Sequence, residues 1–230
     1  MSEGLFHRFW RGSRGTLLFL ALMLVFRSAC ADWMVVPSGS MNPTVVDGDR
    51  VFVDKRAYGW RLPFTLKRLI DVGDPQRGDV VVLESPENGI TLLKRVVAVP
   101  GDTIELRDEA LVVNGVAARY AERPASTGDA LLATVRALDP RYYREDLLGR
   151  SHDVMLLPQI AARRRFAPLR VPAGRYFVMG DNRDNSADSR YFGFVARDAI
   201  YGHATRVVVS LDPEHAYLPR ASRWLQPSLR

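Results

Sequence analysis

Short apolar runs separated by turn residues dominate the sequence from about residue 45 to residue 118. VVDGDRVFVD, GDVVVLESP, TLLKRVVAVPGDTIEL and LVVNGV each combine β-branched or apolar residues with Gly, Pro, Asn or Asp. Asn114-Gly115, which lies between two such runs, is typical of a two-residue hairpin turn. Because such short connections join antiparallel strands, the pattern predicts a mostly β fold with an antiparallel sheet at its core.

The strand pattern changes twice further along the chain. Residues 139–165, which include DPRYYREDLLGRSHDVMLLP, lack it, and we expect them to form an irregular part of an insertion. RYFVMGDNRDNSADSRYFGFV then returns to strand, polar loop and strand, and IYGHATRVVVSL adds a last strand. The sequence therefore predicts a core in two parts, 34–105 and 171–213. An inserted, smaller β-rich subdomain at 106–170 separates the parts, and a C-terminal tail follows at 214–230.

The N-terminus contains an uncharged apolar run, TLLFLALMLVF at residues 16–26, which follows three arginines. A helix of that length spans about 17 Å, whereas the hydrocarbon core of a bilayer is about 30 Å thick. The length alone favours a cleaved signal peptide, and Ala29-Cys30-Ala31 resembles a small-x-small cleavage site. Arg27 lies between the run and that site and disfavours cleavage. We therefore expect residues 1–33 to form a cytoplasmic N-terminus and one uncleaved transmembrane helix, with the rest of the chain outside.

Charge and cysteine content exclude several classes of function. The net charge of +6 and the pI near 9.8 would suit nucleic acid. However, the arginines are scattered apart from Arg163-Arg164-Arg165, and no zinc spacing or helix-turn-helix pattern occurs, so nucleic acid is not an expected partner. The single cysteine, Cys30, rules out an intramolecular disulfide and a cysteine-based metal site.

Lysine is rare in this chain: Lys55, Lys67 and Lys94 are the three lysines among 32 basic residues. A guanidinium group does not lose its proton in a protein, whereas a buried ammonium group can. A lysine that persists among arginines therefore indicates a position where arginine cannot serve. The alternative is a surface lysine that has persisted by chance.

PSGSMNPT at residues 37–44 predicts a stiff loop that presents two hydroxyl groups. Proline restricts its own φ and the conformation of the residue before it, and Gly39 allows backbone angles that a side chain would forbid. The loop therefore presents Ser38, Ser40 or both. The alternative interpretation is an ordinary polar turn.

A nucleophilic serine needs a base, and lysine is a better candidate here than histidine. Of the four histidines, His7 is expected on the opposite side of the membrane and the other three lie in unremarkable settings, and no Gly-x-Ser-x-Gly elbow occurs. Lys94 lies within TLLKRVVAV, where apolar neighbours would lower its pKa by desolvation. On a strand, Lys94 and Arg95 face opposite ways, so at least one of them meets a core surface. The alternative is a lysine on an edge strand whose ammonium reaches water.

The polar loop GDNRDNSADSR, at residues 180–190, lies between two apolar strands. Its spacing does not match a calcium-binding EF-hand loop, so no metal is expected. Asp181 with Arg183 and Asp188 with Arg190 suggest instead an ion-pair scaffold that holds a shape.

Three segments of the chain, taken together and in their order, resemble the bacterial type I signal peptidases, which are serine proteases with a Ser–Lys dyad. These segments are PSGSMNPT, RGDVVVL with LLKRVVAVPGD, and GDNRDNSADSRYFGFV. The resemblance covers roughly residues 34–105 and 171–206. It implies that the two-part core is catalytic and that the chain removes signal peptides from exported preproteins after a small-x-small motif. It also implies an enzyme of the bacterial inner membrane that contacts membrane lipid, acts as a monomer and needs no cofactor.

The same resemblance implies roles for individual residues. Ser40 is the expected nucleophile and Lys94 the general base. Ser38 is expected to complete the oxyanion hole, and Ser186 to orient the lysine by a hydrogen bond. The residues expected to support the site or to form pockets for small substrate residues are Gly180, Asp188, Arg190, Met41, Val82, Leu92 and Leu93. Because a carboxylate touching Lys94 would raise its pKa, we expect Asp181, Asp184 and Asp188 to pair with arginines.

The chain departs from the family in having room for one membrane span where many Gram-negative relatives have two, and its inserted β region is shorter than in larger members. Three alternatives remain at this point. A self-cleaving repressor domain of the SOS response also uses Ser and Lys, but it is cytosolic and carries a DNA-binding segment. A conjugative pilin-processing peptidase would share the dyad and the export topology. A membrane-tethered β binding module would have no use for Ser40 with Lys94.

Overall fold

The structure is a computed structural model that describes residues 3–36, 38–65, 67–107, 109–124, 133–225 and Leu229, with side chains from residue 13 onward. The helices in these ranges are α1 (Glu3–Ala29), α2 (Ala133–Arg136) and α3 (Ser189–Phe192). The strands, in chain order, are β1 (Ala31–Val35), β2 (Asp49–Asp54), β3 (Gly59–Arg61), β4 (Arg68–Asp71), β5 (Val80–Glu84), β6 (Thr91–Ala98), β7 (Thr103–Arg107), β8 (Ala110–Val113), β9 (Val116–Ala117), β10 (Arg119–Arg123), β11 (Arg141–Leu147), β12 (Arg150–Leu156), β13 (Phe166–Arg170), β14 (Arg175–Met179), β15 (Val195–Ala196), β16 (Ile200–Asp212) and β17 (Leu218–Pro219).

The largest sheet has the strand order β1-β2-β16-β5-β6-β14-β15, with β17 paired to β16, and its strands pair antiparallel. Strands β5 and β6 lie in its middle, and Val80 to Leu83 are buried on both faces of the sheet. A strand buried on both faces reads as a continuous apolar run, as VVVL does. The predicted mostly β, antiparallel fold is confirmed.

Two smaller sheets lie between β6 and β14 in sequence. One has the order β13-β7-β8-β9, with Asn114-Gly115 at the β8–β9 turn, and the other has the order β10-β11-β12. The expectation that residues 139–165 are irregular is wrong, because β11 and β12 form a hairpin over residues 141–156. A half-buried strand normally alternates apolar and polar residues, and β11 does not show this alternation in its sequence. The reason is that the buried face of β11 contains Glu145, a charged residue that is fully buried and pairs with Arg183. The division at 34–105, 106–170 and 171–213 stays a prediction.

The N-terminal apolar run lies within α1, as predicted for a helix. In the ranges that the structure describes, however, no helix is long and apolar enough to cross a membrane. The stretch between Arg14 and Arg27 contains 12 residues, whereas a span needs about 20 apolar ones. The structure therefore does not bear out the predicted transmembrane helix.

One cluster of buried apolar side chains anchors the serine-containing loop to the main sheet. Met41 of the loop is fully buried and packs with Val82 of β5 and Leu93 of β6. Burial of a methionine side chain stabilises the folded state by about 1.5–3 kcal/mol. The loop is thus held close to β6, the strand that carries Lys94.

Candidate active site

Ser38 and Ser40 lie on a loop that is fixed from two sides. Ser38 has extended backbone angles, and Gly39–Met41 form one turn of 3₁₀ helix. On one side Met41 fills the core, and on the other Asn182 reaches the loop from the polar segment 180–190. The backbone N–H of Asn182 donates to the Ser40 carbonyl oxygen at 3.1 Å, and its side-chain amide donates to the Gly39 carbonyl oxygen at 3.1 Å. These contacts fix the position of the Ser40 backbone.

Lys94 reaches the Ser40 hydroxyl from the neighbouring strand. Its Nζ lies 2.8 Å from Ser40 Oγ and 3.0 Å from the Leu93 carbonyl oxygen, and the residue is only 2% exposed. Burial lowers the pKa of Lys94 from 10.5 to about 8; Asp188 and Asp181 act in the opposite direction, whereas Arg190 lowers it further. A large fraction of this amine is therefore neutral at mildly alkaline pH.

The carboxylates of the polar loop pair with arginines, as expected, but the predicted pair of Asp181 with Arg183 is wrong, because Arg183 pairs with Glu145. Asp181 accepts both arms of the Arg95 fork at 2.9 and 2.7 Å. Asp188 is paired in the same way with Arg190, at 2.9 and 2.8 Å. The third pair joins Asp184 to Arg164, at 3.1 and 3.0 Å. Two-armed pairs of this kind fix direction as well as charge, so the loop acts as a rigid frame.

Gly180 lies where a side chain would not fit. A Cβ at this position would overlap the Ser40 carbonyl oxygen and the side chain of Ser186. The N–H of Gly180 donates to Asp188 Oδ2 at 3.1 Å, which links the backbone beside Ser40 to the Asp188–Arg190 pair. Gly180, Asp188 and Arg190 are thus brought together beside the serine.

The expected hydrogen bond between Ser186 and Lys94 is absent. Ser186 is buried against Gly180, and within the described part of the chain its hydroxyl has no hydrogen-bond partner. Lys94 Nζ instead contacts Ser40 Oγ and the Leu93 carbonyl oxygen. The lysine is therefore oriented by its own strand, through that carbonyl.

A groove of about 400 Å³ opens beside the two serines. Ser38 Oγ lies 3.5 Å from Ser40 Oγ at this groove. The groove is bounded by β1 and by the first half of β6, and all four residues expected to shape substrate pockets line it: Met41, Val82, Leu92 and Leu93. Besides these apolar side chains, the lining includes four polar or charged residues other than the serines and Lys94: Thr91, Tyr201, Asp32 and Lys55.

Sequence reasoning missed three residues that hold the site. Arg95 was expected only to face away from Lys94, yet it is 1% exposed and pairs with Asp181. The sequence feature that could have predicted this burial is the position of Arg95 beside Lys94 in an apolar strand. Asn182 and Glu145 gave no such signal, because their partners, the Ser40 loop and Arg183, are distant in sequence. The described residues contain no group of three or more His, Cys, Asp or Glu placed to hold a metal ion.

Comparison with known proteins identifies the family. The model of the family described as signal peptidase, peptidase S26, matches residues 11–209. The chain belongs to this family. Signal peptidase I of Pseudomonas aeruginosa is 41% identical in an alignment of length 223 that includes 89% of this chain and 74% of that protein. Signal peptidase I of Haemophilus influenzae is 31% identical in an alignment of length 248 that includes 89% of this chain and 71% of that protein.

Among solved structures, a crystal structure of a signal peptidase I from Enterococcus faecalis V583 is 35% identical and covers 59% of this chain and 100% of that chain, with a TM-score of 0.35. The resemblance to bacterial type I signal peptidases, inferred from the three sequence segments, is confirmed by the family match and by the curated relatives. The S26 match spans Ser38, Ser40, Lys94 and the polar loop 180–190.

Proposed function

We propose that this chain removes signal peptides from exported preproteins, with Ser40 as nucleophile and Lys94 as general base. The observation that carries this proposal is the 2.8 Å separation between Lys94 Nζ and Ser40 Oγ in a buried setting that lowers the lysine pKa. A serine within hydrogen-bond reach of a base is the arrangement that nucleophilic catalysis requires. Membership of the S26 family gives independent support.

The chemistry follows from the positions of these groups. Neutral Lys94 takes the proton from Ser40 Oγ as the oxygen attacks the scissile carbonyl carbon, and the lysine then gives that proton to the leaving amine. The resulting ester between Ser40 and the signal peptide is cleaved when Lys94 deprotonates a water molecule. Ser38 Oγ and the Ser40 N–H are the donors proposed to stabilise the oxyanion, and such a donor contributes about 3–4 kcal/mol.

The groove explains a preference for small residues before the cut. Within the described residues β1 is the end strand of the sheet, so its outer edge has no partner strand there, and β14 pairs with β6 only from Arg95 onward. An extended peptide fits between such edges by adding main-chain hydrogen bonds. The buried side chains of Met41, Val82 and Leu93 leave shallow apolar pockets beside Ser40, so we expect alanine-sized residues one and three positions before the cut. Efficient cleavage of a peptide with Phe at both positions would contradict this expectation.

We further propose that the protein works at the bacterial inner membrane, as a monomer with its catalytic domain on the outer face. Apolar side chains of α1 between Leu17 and Phe26 are exposed, as are Trp60 and Phe64 near the β3–β4 hairpin. Phe64 N–H donates to Ser28 Oγ at 2.6 Å, so the hairpin and the end of α1 adjoin. Exposed apolar surface of this extent is typical of a lipid contact. After cell lysis at low ionic strength the protein should sediment with the membranes, and recovery in the soluble fraction would contradict the proposed location.

The catalytic proposal is tested by cleavage of a preprotein or a peptide with Ala-x-Ala before the cut. Ser40→Ala and Lys94→Ala should each reduce turnover to background, whereas Ser151→Ala, on strand β12 away from the groove, should cleave at the wild-type rate. Circular dichroism would show that all variants are folded. Cleavage by a folded Ser40→Ala variant at the normal rate would overturn the proposal.

A further inference from the structure

The groove is polar at the end that lies by the start of β6, and the proposed mechanism does not use this end. Thr91 Oγ1 and Tyr201 Oη are 2.9 Å apart there, and both residues line the same groove as Ser40 and Lys94. Thr91 precedes Lys94 by three residues on β6, which corresponds to about 10 Å along a strand. A hydroxyl pair at that distance from the nucleophile can contact a substrate several residues away from the cut.

A group of charged residues lies at the same end. Lys55 Nζ donates to Asp32 Oδ2 at 3.2 Å and to the Arg27 carbonyl oxygen at 2.9 Å. Arg27 also pairs with Asp32, at 2.6 Å. Glu84 and Arg61, whose charges act on Tyr201 in opposite directions, also lie near this end. Charges of both signs are thus interspersed here, so the choice of substrate side chain rests on the hydroxyl pair.

The position of the hydroxyl pair selects one substrate residue, if the proposed function holds. On β6, Leu93 and Thr91 are two residues apart and face the same side. In an extended substrate, the first, third and fifth residues before the cut also share one side. When the third residue occupies the apolar pocket beside Leu93, the fifth lies beside Thr91.

The chemistry of the pair indicates what this residue should be. The two hydroxyl groups share one hydrogen bond, which leaves one O–H free to donate and several lone pairs free to accept. Burial raises the pKa of Tyr201; Glu84 and Asp32 act in the same direction, whereas the hydrogen bond with Thr91 and the charge of Arg61 oppose it. The net shift is upward, so the phenol keeps its proton. The pair can therefore donate to and accept from an amide or hydroxyl side chain at the same time.

We propose that Thr91 and Tyr201 form a specificity subsite that binds an uncharged polar side chain, such as asparagine, glutamine or serine, five residues before the cut. An apolar side chain at this position would leave the hydroxyl pair without its substrate partner. A net hydrogen bond contributes about 0.5–1.5 kcal/mol, which corresponds to a preference of about two- to tenfold.

The test uses two Ala-x-Ala peptides that differ only in Asn or Leu at the fifth residue before the cut, two side chains of similar size. Wild-type protein should cleave the Asn peptide with a higher kcat/KM by about two- to tenfold, mainly through KM. Tyr201→Phe and Thr91→Val should lose this preference, so that each variant cleaves the Asn and Leu peptides with about equal kcat/KM. Tyr217→Phe removes the hydroxyl of an exposed tyrosine outside the groove and should keep the preference.

The outcomes separate the subsite from the catalytic proposal. If wild-type protein cleaves both peptides equally, or if the preference persists in the Tyr201→Phe, Thr91→Val double variant, the subsite is overturned and the Ser–Lys mechanism stands. If the same Asn-to-Leu exchange matters at the fourth residue and not at the fifth, the assigned position is wrong. If wild-type protein cleaves neither peptide nor a preprotein, the proposed function fails and the subsite with it.

Discussion

Replacing Lys94 by arginine should abolish cleavage, although the change keeps the charge and the approximate size of the side chain. Lys94 accepts the Ser40 proton only when it is neutral. With a pKa of about 8, about 9% of the amine is neutral at pH 7, compared with about 0.04% for a free lysine of pKa about 10.4. Burial therefore increases the fraction of usable base about 200-fold, and guanidinium, which stays protonated, cannot benefit from it.

The assay is peptide cleavage measured as kcat/KM between pH 5.5 and pH 10. Wild-type activity should rise about tenfold per pH unit below pH 8 and become level above it, because deprotonation of Lys94 sets this limb. Lys94→Arg should remain at background throughout, whereas Lys67→Arg, a change at an exposed lysine, should match wild type. Near-normal turnover by Lys94→Arg would rule out the Ser–Lys dyad and return the search for the base to a histidine.

Three further changes test the surroundings of the dyad. Ser38→Ala should lower kcat about a hundredfold or more with little change in KM, because an oxyanion donor is lost, whereas Ser38→Thr should keep much of the activity. Steady-state kinetics at pH 8 measure both values, and an unchanged kcat for Ser38→Ala would rule out this role. Gly180→Ala should lower both the unfolding temperature and kcat, because its Cβ would overlap the Ser40 carbonyl oxygen; a variant with wild-type melting and turnover would contradict this packing. Burial lowers the pKa of His152 from 6.5 to about 4, and the charge of Arg95 acts in the same direction. Since the unfolded chain binds that proton at higher pH than the folded one, the free energy of unfolding should fall as pH drops from 6.5 to 4. Urea titrations should show a smaller fall for His152→Gln, and an identical fall would refute the assignment.

The main sheet was predictable because its strands bury both faces or alternate cleanly. Val80 to Leu83 form an unbroken apolar run in this sheet, and in the smaller sheet Asn114-Gly115 marks the β8–β9 hairpin without any tertiary information. Strands β11 and β12 were missed because their buried face contains a carboxylate. Glu145 is stabilised there by Arg183 at 2.6 and 2.8 Å and by the Tyr120 hydroxyl at 2.6 Å, which are contacts from distant parts of the sequence.

In the candidate site, too, some features were predictable from the local sequence and others were not. The Ser40 loop and Lys94 stand out locally, through a proline-bounded serine pair and a lysine in an apolar strand. That the carboxylates of the loop pair with arginines was predicted from a charge argument, since any unpaired carboxylate beside Lys94 would raise its pKa. Of the two named pairs, Asp188 with Arg190 was right, whereas Asp181 pairs with Arg95 and not with Arg183. The orientation of Ser186 was not predictable, because it depends on how closely segment 180–190 packs against the Ser40 carbonyl. That packing is set by Gly180 and Asn182 in three dimensions.

The environment of Lys94 explains why a chain rich in arginine suits a lysine base. Asp181 and Asp188 lie close enough to raise the pKa of Lys94, and unpaired they would keep the amine charged. Each is instead held by a two-armed arginine pair, Asp181 by Arg95 and Asp188 by Arg190. The arginines cannot give up their protons, so they neutralise the carboxylates over the whole working pH range. Desolvation by β5 and β6 then remains the largest influence on Lys94, and its amine can become neutral beside Ser40.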